Sequence, residues 1–410
     1  MTQRKLSDTK TNTSSIDRVQ LVQDFLALHY DVKMNVFDPT RIVIVAKNAK
    51  RYKQNPNFND ISLHMESEGI RGCDSILKKI LNSPNQVTTF NPVQDYFNAL
   101  DGKWKGESHI DKYCSHIIAR DFGDKDGSYY QDRFKRIFKK WLAASVACSL
   151  GVRQNDVMIG FVHADEGIGK TYALEFLMPS VLKDFYAKSD KDERLFNATT
   201  AFTQNFIVNF DEFVGITKNS AESIKKLLSS IWITITKSVT NNFQRIANAT
   251  FTSNKTSELG GFLTYEMGYR RYAVIELDNI THGYSAEVDI DQLWAEAYVL
   301  YKNANFDYEW NMDDFIEFRE YNSRYIIETN AQKLIKKYYR LPEPEEESEF
   351  KMPMDILQEL QKAKKLNNSI TNVSDITIGM ALKNLGFKRE AKRISKNQTR
   401  YGYNVISLIE

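Results

Sequence analysis

The octapeptide Ala164-Asp165-Glu166-Gly167-Ile168-Gly169-Lys170-Thr171 constrains this chain more than any other stretch. It lies between an apolar run, Val157 to His163, and a helical one, Tyr172 to Met178. A strand, a glycine-rich loop, a lysine and a helix in that order mark the place where an α/β sheet cradles phosphate. Gly167 and Gly169 let backbone N–H groups approach phosphate oxygens. Lys170 has the reach for β and γ oxygens, and the Thr171 hydroxyl suits Mg²⁺ at a helix N-terminus. The spacing GxxxxGK[ST] is kept, except that Ala164 stands at the first glycine position.

Three later segments gain meaning from that loop. Phe206 to Phe210 is an apolar strand ending in Asp211-Glu212. At the C-terminal edge of a parallel sheet, such a pair divides into a Mg²⁺-shell carboxylate, Asp211, and a general base for water, Glu212. Read alone it is an exposed acidic turn. Ala249 to Thr252 runs into Ser253-Asn254, where the Asn254 amide has the chemistry to orient water or touch a γ-phosphate, or simply closes a turn. Gly268-Tyr269-Arg270-Arg271-Tyr272 offers two guanidinium groups before another apolar strand, either for a transferring phosphoryl group or as a solvated basic turn.

At 410 residues the chain exceeds one ordinary core, and two to four domains are expected. Lys and Arg (55) nearly balance Asp and Glu (53), giving +2, so any nucleic-acid binding must come from local patches. Cys73, Cys114 and Cys148 form no CxxC pair, which argues against structural zinc and a disulfide framework and for a reducing cytoplasm. No signal peptide or membrane span is expected, since no apolar run follows the basic N-terminal residues and the most apolar later stretch, Trp141 to Leu150, is short and broken by serines. The six histidines are scattered without ligand-spaced helical partners, and a structural role is expected for them.

Ser14 and Asp17 form a capping-box pattern before Val19, Leu21, Val22, Phe25 and Leu26, so a first helix is expected to start there. Val32, Met34 and Val36, the turn Asp38-Pro39-Thr40 and the run Ile42 to Val45 predict a hairpin. Residues 59–140 read as mostly helical. From Val157 on, short strands alternate with helices (Val157 to His163, Phe206 to Phe210, Ile231 to Ile235, Ala249 to Thr252, Ala273 to Leu277), which predicts a largely parallel α/β sheet. Leu341 to Glu349, with five glutamates and two prolines, reads as a linker. The expected division is an N-terminal accessory α+β domain (1–90), a helical lead-in (91–150), the α/β core (151–340), the linker (341–350) and a small C-terminal domain (351–410).

In this order, the lysine loop, acidic pair, strand-end Asn and Arg-Arg-aromatic resemble superfamily 3 helicases. More closely, the chain resembles the virulence-associated protein E family, found with phage and mobile-element replication modules. The resemblance spans about residues 90–340. It rests on Asn91-Pro92 with Tyr96-Phe97, Lys139 to Cys148, ADEGIGKT, FIVNFDEF, ATFTSN, GYRRY and Leu293-Trp294-Ala295-Glu296-Ala297. It implies a P-loop NTPase core of AAA+-like type with ATP and Mg²⁺ as cofactors. The nucleotide would be held by Ala164 to Thr171 and the metal by Thr171 and Asp211. Lys170, Glu212, Asn254 and Arg271, with Arg270 second, are the implied catalytic residues. The departures are Ala164 and the lack of any upstream segment long enough for a catalytic primase, so a separate primase or initiator is an implied partner.

Such families place a DNA-contacting hairpin between the acidic pair and the strand-end Asn. Here Trp232 to Val239, the turn Thr240-Asn241-Asn242 and Phe243 to Ile246 predict one, with Lys237 and Arg245 near its tip as DNA contacts or solvated charges. Ser374 caps a helix carrying Ile376, Ile378, Leu382 and Leu385 that stops at Gly386. Lys388, Arg389, Lys392 and Arg393 then lead into an alternating run, Tyr401 to Leu408. That pattern predicts a winged-helix-like, duplex-binding domain, with a merely soluble capping domain as the alternative. The expected activity is that of an ATP-dependent, ring-forming (hexameric) DNA helicase acting on single- and double-stranded DNA. The alternatives are a defence or signalling ATPase without unwinding, distinguished by a lack of DNA stimulation, and an origin-binding protein with a nucleotide switch.

Overall fold

The computed structural model describes residues 10–36, 42–48, 56–83, 85–189, 198–213, 218–236, 240–264, 267–363, 373–395 and 398–409. They form two compact units. One holds the described residues up to Phe213 with Glu222–Asn254 and Arg271–Phe315, and the other holds the described residues of Val214–Ala221 and Lys255–Arg270 with those from Ile316 on.

The first unit begins with helix α1 (Lys10–His29), strands β1 (Tyr30–Asn35) and β2 (Ile42–Ala46), helices α2 (Phe58–Ser67) and α3 (Asp74–Leu81) and strand β3 (Thr88–Phe90). Helix α1 starts before Ser14 and Asp17, which therefore lie inside it. The hairpin is antiparallel with Val32 opposite Ile44, and β3 adds in parallel to β1. Asn57 and Asp60 close a reciprocal capping box on α2. Val22, Phe25, Ile61, Met65 and Leu77 share a small core beneath the sheet.

Next come α4 (Pro92–Leu100), α5 (His109–His116), β4 (Ile117–Ala119), α6 (Tyr129–Ser149), β5 (Met158–Val162), α7 (Lys170–Phe176), β6 (Tyr186–Ser189), α8 (Ala198–Gln204), β7 (Ile207–Phe210), α9 (Lys218–Ser229), β8 (Trp232–Thr236), β9 (Thr240–Gln244), β10 (Asn248–Ser253) and β11 (Tyr272–Ile280). Six strands make one sheet, ordered β4-β11-β5-β10-β7-β6, in which all but β4 run parallel. Every residue of β5, β7 and β10 is buried, as expected of strands covered on both faces. At Gly160 the neighbouring ring leaves no space, since an added Cβ would lie 2.0 Å from Phe251 Cζ.

Ile231 to Ile235 does not join this sheet. It forms β8, which among the described residues pairs only with β9, in a separate hairpin. Burial explains the difference: Trp232 is 63% exposed and Ile233 only 4%, so the strand alternates between solvent and core instead of being covered on both faces. The return strand begins at Thr240, not after Asn242, and the expected turn residues Thr240 to Asn242 are part of it.

Helices α10 (Tyr284–Glu287) and α11 (Ile290–Lys302) complete this unit. Helix α11 acts as a strap. Trp294 Nε1 donates to the Leu177 carbonyl at 2.7 Å, and Glu296 accepts from Ser108 Oγ at 2.7 Å and Ile110 N at 3.1 Å.

The second unit contains most of α12 (Met312–Asn322), then α13 (Asn330–Tyr338), β12 (Tyr339–Arg340), β13 (Glu349–Lys351), α14 (Pro353–Lys362), α15 (Asp375–Asn384), β14 (Arg389–Ser395) and β15 (Gln398–Ser407). Ser374 and Thr377 cap α15, and Gly386 follows its end with φ 88°. Strand β15 pairs with β12, β13 and β14. The acidic segment is thus no free linker, because it turns between two neighbours of one strand. Arg340 holds Glu346 through two bonds of 2.7 and 2.5 Å, and Glu343 N donates to Glu346 at 2.9 Å. The core of this unit already includes Ala331, Leu334, Ile335 and Tyr339, upstream of the acidic turn.

Among the described residues no helix is long and apolar enough to cross a membrane. The three cysteines are free and buried.

Candidate functional site

The C-terminal ends of β5, β7 and β10, neighbours in the sheet, open onto one edge. The glycine-rich loop leaves β5 there and enters α7 at Lys170. Gly167 and Gly169 take φ of 83° and 95°, a left-handed conformation that costs glycine little. At Gly169 a side chain is excluded twice over, since its Cβ would lie 2.7 Å from His282 Cε1. Lys170 is buried, and its Nζ donates to the carbonyls of Asp165 at 2.7 Å and His163 at 3.0 Å. Burial lowers its pKa, against the opposing pull of Glu166, Asp165 and Asp211.

Asp211 follows β7. Its Oδ1 accepts from Thr171 Oγ1 at 2.8 Å and from Thr252 Oγ1 at 2.5 Å, and Lys188 Nζ lies 2.7 Å from its Oδ2. Burial alone would raise this carboxyl's pKa. The Lys188, Thr252 and Thr171 bonds outweigh it and hold the group below the usual range. Glu212 is exposed and adopts φ 47°, unusual for a residue with a side chain, while its N–H donates to Thr252 Oγ1 at 3.3 Å. One hydroxyl therefore touches both members of the acidic pair. Asn254 Nδ2 donates to Glu166 Oε1 at 3.3 Å, which brings the strand-end amide against the loop.

These oxygen donors suit a hard divalent cation. The Thr171 hydroxyl and Asp211 carboxylate are in direct contact beside a lysine and a glycine-rich backbone, the donor chemistry that Mg²⁺ with a polyphosphate requires.

Sequence reasoning missed Thr252 and Lys188. Thr252 hides within a strand whose residues are all buried, and Lys188 lies on a four-residue edge strand with little apolar signal. His282, beside Gly169, was missed too, as a lone histidine in a turn after β11.

Arg271 is not brought to this edge. It precedes β11, whose Tyr272 pairs with Met158 at the start of β5, so it lies at the opposite edge of the parallel sheet from the loop. There its Nη2 donates to Ser229 Oγ at 3.0 Å. Arg270, exposed, precedes it in the same short 3₁₀ turn.

Arg245 is a correction. It follows β9 at the base of the hairpin, far along the ladder from the Thr236–Thr240 end, and is buried. Its guanidinium donates to the carbonyls of Asn155 at 2.7 Å and Ala247 at 3.1 Å, and also to that of Leu228. A cation buried and committed in this way is an interior clamp, with its donors turned inward and away from any DNA. Lys237 lies outside the described residues.

Lys388, Arg389, Lys392 and Arg393 are all exposed. The strand period puts Arg389 and Arg393 on one face of β14 and Lys392 on the other, with Lys388 preceding the strand. Arg389 lies over the Tyr401 ring at 4.7 Å and Lys392 over Phe350 at 5.5 Å.

The Thr252 geometry gives a first prediction. Thr252→Val removes a hydrogen bond to a charged group, and stability near neutral pH should fall by about 1.5–3 kcal/mol. The depressed Asp211 pKa contributes stability that is present above the ordinary carboxyl pKa and lost as pH falls through the folded value. The variant's denaturation midpoint should therefore converge on the wild-type midpoint in acid. A constant gap across pH would mean that Thr252 does not act through Asp211.

A family model described as the virulence-associated protein E-like domain matches residues 98–326. Among solved structures, the apo form of the NrS-1 C terminal region is similar at 12% identity and TM-score 0.46, covering 95% of this chain and 99% of that one. A putative ATPase from Cytophaga hutchinsonii is similar at 14% identity and TM-score 0.25, covering 60% of this chain and 69% of that one. No curated protein matches.

Proposed function

Because the chain belongs to the virulence-associated protein E-like family, we propose that it is an ATP-dependent DNA helicase for replication of a phage, satellite or other mobile element, working as a ring. The observation that carries this reading is the contact of Thr171 and Thr252 with Asp211 beside the Lys170 loop. On this reading the loop is a P-loop that binds ATP. Thr171 and Asp211 hold Mg²⁺, which supplies charge neutralisation at the phosphates. Lys170 exchanges its loop carbonyls for phosphate oxygens. Glu212, held at the strand end through its own N–H, accepts the proton of the attacking water, and Asn254 orients that water. Arg271, at the far edge of its own sheet, serves the site of a neighbouring subunit.

Hydrolysis of ATP should rise on addition of single-stranded DNA, and a labelled strand should be displaced from a forked duplex. No hydrolysis with or without DNA would refute the reading. Hydrolysis that DNA leaves unchanged would favour a defence or signalling ATPase instead.

In the second unit α13, α14 and α15 with the β14–β15 hairpin support a winged-helix-like reading, with the wing touching duplex phosphates from both faces. Replacing Lys392 and Arg393 by Ala should weaken duplex binding and flatten its salt dependence by a slope of about 0.9 for each phosphate left without its cation. An unchanged affinity and slope would leave those charges as a solvated surface.

A further inference from the structure

Outside the site above, the N-terminal module brings together two histidines distant in sequence. We infer that His29, His64 and Glu68 form a binding site for one divalent transition-metal ion of the zinc class. His29 ends α1, His64 lies on α2, and Glu68 caps α2 one turn later. One ligand atom from each lies within 4.8 Å of the other two. His64 Nε2 is 3.5 Å from Glu68 Oε1, and His29 Nε2 is 3.8 Å from Glu68 Oε2. Tetrahedral zinc with bonds near 2.0–2.1 Å needs donors roughly 3.3 Å apart, so both carboxylate contacts need to close by only a few tenths of an ångström. The two imidazole donors lie within 4.8 Å of each other, and rotation of the partly exposed His29 side chain would have to close the rest of that gap.

The surroundings fit a metal site in three ways. Tyr30 Oη lies 2.6 Å from His64 Nδ1, so an Nδ1–H donated to the phenol oxygen leaves the Nε2 lone pair for the ion. Phe25 stands 4.7 Å from the His29 ring and 4.8 Å from the His64 ring, an apolar wall that lowers the local dielectric. Side-chain exposure grades from 4% at His64 through 19% at His29 to 39% at Glu68, which leaves an entry path and a fourth position for water. Two imidazoles and a carboxylate match zinc better than Mg²⁺ or Ca²⁺, which prefer all-oxygen shells. The bound ion would clip the end of α1 to α2 in a module with a small core.

The test is Zn²⁺ uptake by the chelator-stripped full chain, in excess Mg²⁺ to occupy the oxygen-donor site, read by competition with a chromophoric chelator. The wild type should take up one zinc per chain. His29→Gln and Glu68→Gln, both at partly exposed side chains, should each lower the affinity by at least about 10–100-fold, and Tyr30→Phe by less. Circular dichroism checks that each variant is folded. A wild type that takes up no stoichiometric zinc, or folded variants that bind it equally well, would overturn the assignment and leave an ordinary histidine–glutamate ion-pair cluster. The outcome is independent of ATP turnover.

Discussion

Lys170→Ala protein should turn over ATP at least roughly 10²–10³-fold more slowly than wild type, the usual cost of deleting a cation aimed at developing charge. Its folding should hardly change, because the Lys170 ammonium bonds only to carbonyls of its own loop. Glu212→Gln should behave differently. It should bind Mg-ATP as the wild type does and hydrolyse it roughly 10²–10⁴-fold more slowly, since only proton acceptance is removed. Its backbone is held at φ 47° through the N–H to Thr252, which the amide variant keeps. Nucleotide binding by fluorescence and turnover by phosphate release separate the two. A Lys170→Ala protein with wild-type turnover would refute the site.

Arg271→Ala should cost roughly 10³-fold or more in turnover, as removal of a trans-acting arginine does in phosphoryl-transfer enzymes. The sheet geometry is the reason to expect action between subunits, since Arg271 and the loop occupy opposite edges of parallel strands. Mixing Arg271→Ala subunits with Lys170→Ala subunits should restore part of the activity, because some interfaces then combine an intact loop with an intact arginine. If the mixture co-assembles and stays inactive at every ratio, the arginine acts within its own chain or only supports the fold near Ser229.

The parallel sheet was legible because strands covered on both faces leave unbroken apolar runs, as in Met158 to Val162 and Ile207 to Phe210. That Lys170, Thr171, Asp211 and Asn254 meet at one sheet edge was legible too, because each flanks a turn marked by glycine or by a strand end. What escaped depends on register and packing. Thr252 is distinguished from any buried β-branched residue only by lying opposite the Asp211 turn, and Lys188 only by the pairing of Ser189 with Phe210. Arg245 looked like a surface charge because a one-dimensional pattern cannot show three carbonyls converging on a guanidinium. His29 and His64 looked unrelated because their meeting depends on how two helices pack.

Strand β15 has a consequence for synthesis on the ribosome. It is the shared partner of β12, β13 and β14, all of which precede it in the chain. Tyr339 and Arg340 therefore emerge long before the strand that satisfies their backbone. At about 5–20 residues per second, the segment between them and Ser407 waits several seconds with its sheet unformed. Throughout that interval α13, whose Leu334 and Ile335 belong to the same core, has no completed surface to bury them. The nascent C-terminal unit is thus exposed to proteases and holding chaperones until β15 clears the exit tunnel. A ribosome stalled before Gln398 should carry a unit that proteases cut readily, whereas one stalled on an added C-terminal tail that carries Ser407 out of the tunnel should carry a resistant one.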